Sequence, residues 1–346
     1  MRKVLIFFLT FILGVAGFVI AMKSVGWQTI PEAFKLFLSP TGLVLLFLTF
    51  LINYLGFLKW RFVLKKLSGQ PDFRGLSEAW LGGFTISYLL TPIAFLGGEP
   101  FRAYFVKEKY HLDWGKSAAS VIIERLLEWT VLFLGTVPAL LVFLMHSRVI
   151  PGKIFPFAGA GIIGLFILLF IFYFKSLKKE SMVEWFLNFL GLERKEIENS
   201  HRGKLIFGVE KEIINFFSPK GKIFWQGISL TVLRYLFYFL RVWFLIFSLH
   251  CGTSLSRAFA VYGVTNLAVF FPTPAALGSL EATGILSFGA LDFKISQGTI
   301  LALLLRNADI LLSLVGLFFL VKVTIYLTGR KILSFFGGKK FKSRQK

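Results

Sequence analysis

The chain has 346 residues, of which 56% are hydrophobic and 43 are Phe, with a mean hydropathy of +0.73. A soluble protein of this length has no interior large enough for so much apolar surface, and the long apolar runs point to lipid as solvent. A net charge of +21 would suggest nucleic acid in a soluble protein, but no basic recognition module is present and the charge lies between apolar runs, where it sets membrane orientation and meets anionic lipid. The single cysteine, Cys251, rules out a disulfide framework or a thiol metal site.

Taken in order, the first apolar run is Val4–Met22, preceded by Arg2 and Lys3. Its 19 residues lack an A-x-A-like end, so it reads as a retained first transmembrane helix rather than a cleaved signal. Further runs follow at Gly42–Leu58, Ser117–Met145, Phe157–Phe174, Ile223–Leu249 and Gln297–Val321, giving six predicted spans. Two more apolar stretches, Ala79–Leu96 and Ala258–Leu277, are interrupted by Gly and Pro and read as broken rather than clean spans.

The connecting segments predict the topology. Lys59, Arg61, Lys65, Lys66 and Arg74 follow the second span. Residues 175–222 hold ten Lys or Arg against seven Glu, and eight basic residues follow from Lys322 onward. The loops on the other side, 23–41 and 146–156, carry two each. Basic loops stay cytoplasmic, so both termini and the 175–222 insert are expected inside. Within the insert, Ser181 and Glu184 fit a capping box opening a short helix on the cytoplasmic surface.

Self-comparison reveals a repeat. Ser39-Pro40-Thr41-Gly42 recurs as Ser218-Pro219-Lys220-Gly221, and Leu76-Ser77-Glu78-Ala79-Trp80 as Leu255-Ser256-Arg257-Ala258-Phe259, both at an offset of 179. Thr91-Pro92 matches Thr273-Pro274 and Glu99 matches Glu281 at 182; Arg125-x-x-Glu128 matches Arg306-x-x-Asp309, and Gly135 matches Gly316, at 181. A duplication follows. Each unit holds three spans and one broken stretch, and because three is odd the second unit enters the membrane upside down. The predicted fold is therefore an all-α integral membrane protein, an inverted repeat of three transmembrane helices plus one re-entrant broken-helix hairpin. The expected organisation is a first repeat over 1–150 with its hairpin near 79–110, a second over 151–330 with its hairpin near 258–290, and a basic cytoplasmic tail at 331–346.

The candidate site follows from the breaks. The tips, Thr91–Gly98 and Thr273–Gly278, survive at membrane depth only inside protein or along a polar cavity. Arg125 and Glu128, like Arg306 and Asp309, are three residues apart, on one helix face and close enough to pair. These are either structural ion pairs that lock each helix to its hairpin, or positive charge offered to an anionic headgroup, with Glu99 and Glu281 as partners or protonation sites. Arg102 is expected at the cytoplasmic mouth. Arg234 and Arg241, seven apart, share a face that lines the cavity or snorkels to the surface. The four His lack metal-ligand spacing and no catalytic or nucleotide motif is present, so neither metal, cofactor nor catalytic residue is assigned.

Gly97-Gly98-Glu99-Pro100-Phe101-Arg102, Ile122-Ile123-Glu124-Arg125-Leu126-Leu127-Glu128, and Pro272-Thr273-Pro274 with Gly278-Ser279-Leu280-Glu281 resemble the flippase-like family. That family is also named for the lysylphosphatidylglycerol synthase transmembrane region and includes the membrane half of the bacterial multiple peptide resistance factor. The resemblance covers nearly the whole chain. It implies movement of a phospholipid or lipid-linked precursor between leaflets of the cytoplasmic membrane, with an anionic or zwitterionic lipid as partner. In the resistance factor the substrate is aminoacylated phosphatidylglycerol, made by a separate cytosolic domain. Here the sequence ends about twenty-five residues after the last span, which argues against enzyme activity, and the second hairpin reads Pro-Ala-Ala-Leu-Gly where Pro-Gly-Gly is expected. The alternatives are a non-catalytic membrane subunit supporting a separate lipid synthase or glycosyltransferase and, ranked last, an enzyme acting on lipid heads.

Overall fold

The computed structural model describes residues 2–69, 71–90, 97–147, 164, 167, 170–176, 178–190, 197–198, 200–217, 222–252 and 254–342. The described residues form helices and their connections: α1 (Arg2–Val25), α2 (Thr29–Phe37), α3 (Pro40–Ser68), α4 (Phe73–Thr85), α5 (Glu99–Tyr110), α6 (Trp114–His146), α7 (Met182–Phe189), α8 (His201–Phe216), α9 (Lys222–Ser248), α10 (Leu255–Asn266), α11 (Ser279–Ala290) and α12 (Ile295–Lys342). Within them, Phe8–Val25, Pro40–Ser68, Trp114–His146, Ile223–Ser248 and Ile295–Gly329 are long and apolar enough to cross a bilayer. The fourth predicted span, Phe157–Phe174, falls largely outside the described residues. The spans leave large apolar side chains exposed at helical spacing, such as Leu43, Phe47 and Phe50 on α3 and Leu311, Leu314 and Phe318 on α12. Such stripes are stable against lipid chains and not against water.

Local chemistry sets the helix starts. Ser39 caps α3 by accepting from the Thr41 N–H, with Pro40 in the first turn. Asp113 caps α6 through the Lys116 N–H. In the insert, Ser181 caps α7 through the Glu184 N–H, and Glu210 of α8 accepts from the Ser181 hydroxyl at 2.6 Å and the Val183 N–H at 2.7 Å. That short helix is thus tied to α8, which packs on α6.

Both Gly- and Pro-interrupted stretches are broken helices. In the first, α4 runs into a π-helical turn at Ile86–Leu90, and the chain returns as α5. The tip residues 91–96, Thr91 included, lie outside the described residues. In the second, α10 passes into 3-10 turns at Leu267–Phe270 and Pro274–Ala276 before α11. Ala275 and Ala276 stand at φ of 53° and 50°, and Gly278 at 77°. The two alanines therefore occupy left-handed backbone that glycine adopts more cheaply. They lie where glycines were expected on resemblance, so the departure in sequence leaves strain rather than a different turn.

The packing is reciprocal. α4 packs on α12, and α10, its counterpart, packs on α6; α3 and α9, themselves counterparts, pack on each other. The contacts match in detail: a Cβ on Gly82 would meet the Leu320 backbone at 3.1 Å, and one on Gly263 would meet the Ala139 backbone at 2.9 Å. Gly82 and Gly263 stand 181 residues apart, as do Ala139 and Leu320. Thr85 donates to the Ser313 carbonyl at 2.9 Å, and Asn266 donates to the Thr136 hydroxyl at 3.2 Å. Within lipid such small-residue contacts and hydrogen bonds hold helices together, since burial from lipid brings little hydrophobic gain.

Asp72 offers a test outside the spans. It caps α4 through the Gly75 N–H at 2.7 Å and accepts from Lys109 at 2.9 Å and Tyr110 at 2.6 Å, tying α4 to α5. Partial burial pushes its carboxyl up, but the hydrogen bonds from Tyr110, Lys109 and Gly75 outweigh it and hold the group below the usual carboxylate range. Its folded value being depressed, the stability it contributes is present above the ordinary value and is lost as pH falls through the lowered one. Asp72→Ala should lower thermal stability in detergent at neutral pH, by about 0.5–2 kcal/mol for the cap, and the difference from the unmodified chain should shrink on acidification.

Candidate functional site

The α6 sequence places Glu124, Arg125 and Glu128 within one turn, and α5 begins with Glu99 facing them. Arg125 reaches Glu99 through Nε at 2.7 Å and Nη2 at 2.5 Å, and Glu128 through Nη1 at 2.5 Å. Glu124, with no exposed surface, takes Lys59 of α3 at 2.7 Å and Arg102 of α5 at 3.1 Å. Glu128 takes Lys59 as well, at 3.1 Å, and Arg234 of α9. Four cations and three carboxylates thus form one buried network.

The second unit builds a smaller version. Arg306 holds Glu281, the acidic residue in the first turn of α11, through both terminal nitrogens, with Nη2 to Oε2 at 2.6 Å. It also donates to the carbonyls of Ala275 at 3.3 Å and Ala276 at 2.8 Å, while Glu281 accepts from the Gly278 N–H at 3.0 Å. The spacing of three had suggested an Arg306–Asp309 pair. Instead Arg306 turns to the hairpin, where a bidentate carboxylate and two strained carbonyls match its planar fork. Asp309 takes Arg241 of α9 at 2.9 Å, which also donates to Thr49 at 3.1 Å.

A cavity of about 220 Å³ lies between these networks. Arg102, Arg125, Glu128, Arg234, Arg241 and Asp309 line it, as do Trp80, Trp129, Tyr88, Tyr235, Tyr238 and Tyr262. Arg306 and Glu281 stand behind its wall, beside the lining residues Ala276, Leu280 and Leu305, and Glu99 stands behind Arg125. Thr273 sits in the hairpin turn, its hydroxyl 3.3 Å from that of Ser279. Arg102, expected at an open mouth, is buried with its guanidinium 5.0 Å and 4.8 Å from the Trp60 and Trp80 rings. Arg234 lies over Tyr238 at 5.5 Å and Arg241 over the same ring at 5.3 Å. Each such ring contributes about 0.5–2 kcal/mol toward holding a desolvated cation.

Several participants escaped sequence reasoning. Lys59 stands one residue beyond the second apolar run and read as a loop cation, yet it is fully buried. Arg234 and Arg241 were left between cavity and surface; both line the cavity. The tyrosines carried no signal in so aromatic a chain, although Tyr235 and Tyr238 flank Arg234 and Arg241 at helical spacing. Chemically, the lining offers guanidinium and phenol donors with flat aromatic faces, a set suited to an anion bearing a polar substituent.

Comparison with known proteins agrees that the chain is a membrane protein. The family model described as the lysylphosphatidylglycerol synthase TM region matches residues 4–316. A UPF0104 membrane protein of Methanocaldococcus jannaschii is 27% identical over 281 residues, covering 79% of this chain and 82% of its own length. No solved structure matches the chain.

The Arg306 clamp makes a stability prediction. Arg306→Leu leaves Glu281 buried without its cation and frees two carbonyls, and should destabilise by about 3–5 kcal/mol. Adding Glu281→Gln should recover part of that loss, since the stranded charge is removed. Thermal unfolding of the single and double variants in one detergent measures both.

Proposed function

The chain belongs to the lysylphosphatidylglycerol synthase TM region family, and on that premise we propose that it moves a phospholipid or lipid-linked precursor between leaflets of the cytoplasmic membrane. The observation that carries this reading is the polar cavity between the two reciprocally packed units, reached by four arginines and bordered by two broken helices. A lipid head crossing hydrocarbon alone faces a large desolvation cost. A cavity with charge-assisted donors offsets that cost along the way. The reciprocal packing supports a repeat inverted about an axis in the membrane plane, with the substrate at the repeat interface, as in secondary transporters. In this reading the protein is a carrier and not an enzyme, its partner is an anionic or zwitterionic lipid, and a lipid-synthesising enzyme supplies that lipid. Arg125 and Arg306, with Glu99, Glu281, Arg102, Glu128 and Asp309, set the charge the head meets. Thr91 and Thr273 belong to the two tips.

Orientation follows from the basic insert and basic C-terminal segment: both termini and α7–α8 face the cytoplasm. With Cys251 replaced by Ser, Lys204→Cys, at an exposed position of α8, should be modified by a membrane-impermeant maleimide only after the cells are opened. Labelling in intact cells would reverse the topology.

Transport itself is tested in liposomes holding the purified chain, with a headgroup-labelled phospholipid and an external quencher. The unmodified protein should accelerate exchange between leaflets. Arg125→Lys and Arg306→Lys keep the charge but lose the planar fork, and each should slow exchange at least about tenfold, a change of some 1.4 kcal/mol in the barrier, with thermal stability measured alongside. Normal rates in both would leave the arginines as braces. A protein that moves none of the labelled lipids would favour the alternative of a non-catalytic subunit for a lipid synthase or glycosyltransferase.

A further inference from the structure

The two networks do not balance. Around the cavity, the cations are Lys59, Arg102, Arg125, Arg234, Arg241 and Arg306, and the carboxylates are Glu99, Glu124, Glu128, Glu281 and Asp309. Counted with each group in its charged form, six positive charges face five negative ones. Among the described residues no further carboxylate joins either network, and Glu78, paired with Arg74 and Lys322, belongs to a separate exposed group. One positive charge is thus left over in a setting where an unbalanced charge is strongly disfavoured.

The distribution of that excess is also informative. On the cavity wall itself stand four arginines and two carboxylates. Both carboxylates are committed: Glu128 to Arg125, Arg234 and Lys59, and Asp309 to Arg241. An amine-bearing head entering the cavity therefore meets guanidinium groups and no carboxylate left to receive it. An anion meets the excess charge. The remaining wall is supplied by Tyr88, Tyr235, Tyr238 and Tyr262 with Trp80 and Trp129, phenols and flat rings that suit hydroxyl groups and the apolar faces of a polyol or sugar.

We propose that the ligand of this cavity is a monoanionic phosphodiester whose second substituent is neutral and hydroxyl-bearing, as in phosphatidylglycerol or a lipid-linked sugar phosphate, and that a head carrying an amine cation is rejected. The lipid part of this assignment rests on the transport reading above; the charge selectivity does not.

Trp80 and Trp129 in the wall make intrinsic fluorescence a direct reporter of occupancy. The purified chain in neutral detergent is titrated with phosphatidylglycerol, phosphatidylcholine and lysyl-phosphatidylglycerol. Phosphatidylglycerol should bind at least about tenfold tighter than the other two. Equal binding of the three, or tighter binding of the lysyl lipid, overturns the proposal. Lys59→Met tests the charge count from behind the wall, because Lys59 is fully buried and does not line the cavity, its link to the lining being Glu128 at 3.1 Å. It brings the balance to zero and should abolish the preference. Lys59→Met with Glu124→Gln restores an excess of one and should bring the preference back. Failure of the double variant to recover selectivity while folded also overturns the proposal; because deleting Glu124 would equally relieve the charge stranded by a merely structural Lys59, thermal stability is measured alongside and the response of Glu124→Gln alone separates the two roles. Should Lys59→Met alone not fold, the double variant and Glu124→Gln, which raises the excess to two and should tighten phosphatidylglycerol binding, still decide it. Soluble glycerophosphoglycerol binding as tightly as the lipid would support the phosphodiester site and transfer it to a water-soluble ligand. Selective binding of phosphatidylglycerol without exchange in liposomes would support the site and overturn the transport reading alone.

Discussion

A helix that breaks inside a bilayer exposes backbone groups and, if it carries charge, an ion as well, and lipid can satisfy neither. At the second hairpin both debts are met at once by Arg306, an arginine of the long helix that follows it. Arg306 accepts the charge of Glu281 and donates to two carbonyls of the broken segment, so the same guanidinium neutralises the first turn of α11 and completes the turn before it. Arg125 neutralises Glu99, the opening residue of α5, in the same way that Arg306 neutralises Glu281. The strained backbone at Ala275 and Ala276 is tolerable because Arg306 and Glu281 over-determine its position.

The units are alike in this clamp and unlike in what surrounds it. The first adds Lys59, Glu124, Arg102 and Arg234 around Arg125, whereas the second adds only the Arg241–Asp309 pair. The asymmetry comes from α9, which belongs to the second unit yet sends Arg234 to Glu128 of the first and Arg241 to Asp309 of the second. Seven residues of one helix therefore bridge the two networks. A duplicated fold needs identical clamps to hold its hairpins, whereas a ligand held between the units is not itself symmetric and would gain from differing halves.

What could be read in advance follows the range of the interactions. Spans and breaks were legible, because apolar run length and the placement of Pro and Gly are properties of contiguous sequence. The Arg125–Glu128 pair was legible for the same reason: three residues on a helix fix a neighbourhood. Arg306 and Asp309 have the same spacing and did not pair, because partners from other elements offered better geometry, a bidentate carboxylate to one and Arg241 to the other. Lys59 was misplaced because the apolar run stops at Leu58 while α3 continues to Ser68, and the aromatic wall was hidden by abundance, Phe, Tyr and Trp being 17% of the chain.

The reciprocal helix contacts bear on how such a site would open. Where α4 crosses α12 and α10 crosses α6, the close approaches are made by Gly82, Gly316 and Gly263, with Ala139 opposite the last. Surfaces of small residues lack the interlocking knobs that fix helices in register, so they resist sliding less than the Leu- and Phe-filled interface of α9, α10 and α12. The ion network works in the opposite sense, for every shift that separates a buried pair leaves uncompensated charge. Motion in this fold is then confined to displacements that keep each arginine with its carboxylate while the glycine faces slip. Each hairpin, clamped to the long helix of its own unit, would travel with that helix, and the change would concentrate where α9 reaches across to both halves. A bound anion that neutralises the excess charge lowers the cost of loosening those crossing pairs, which is how occupancy of the cavity would be coupled to its opening.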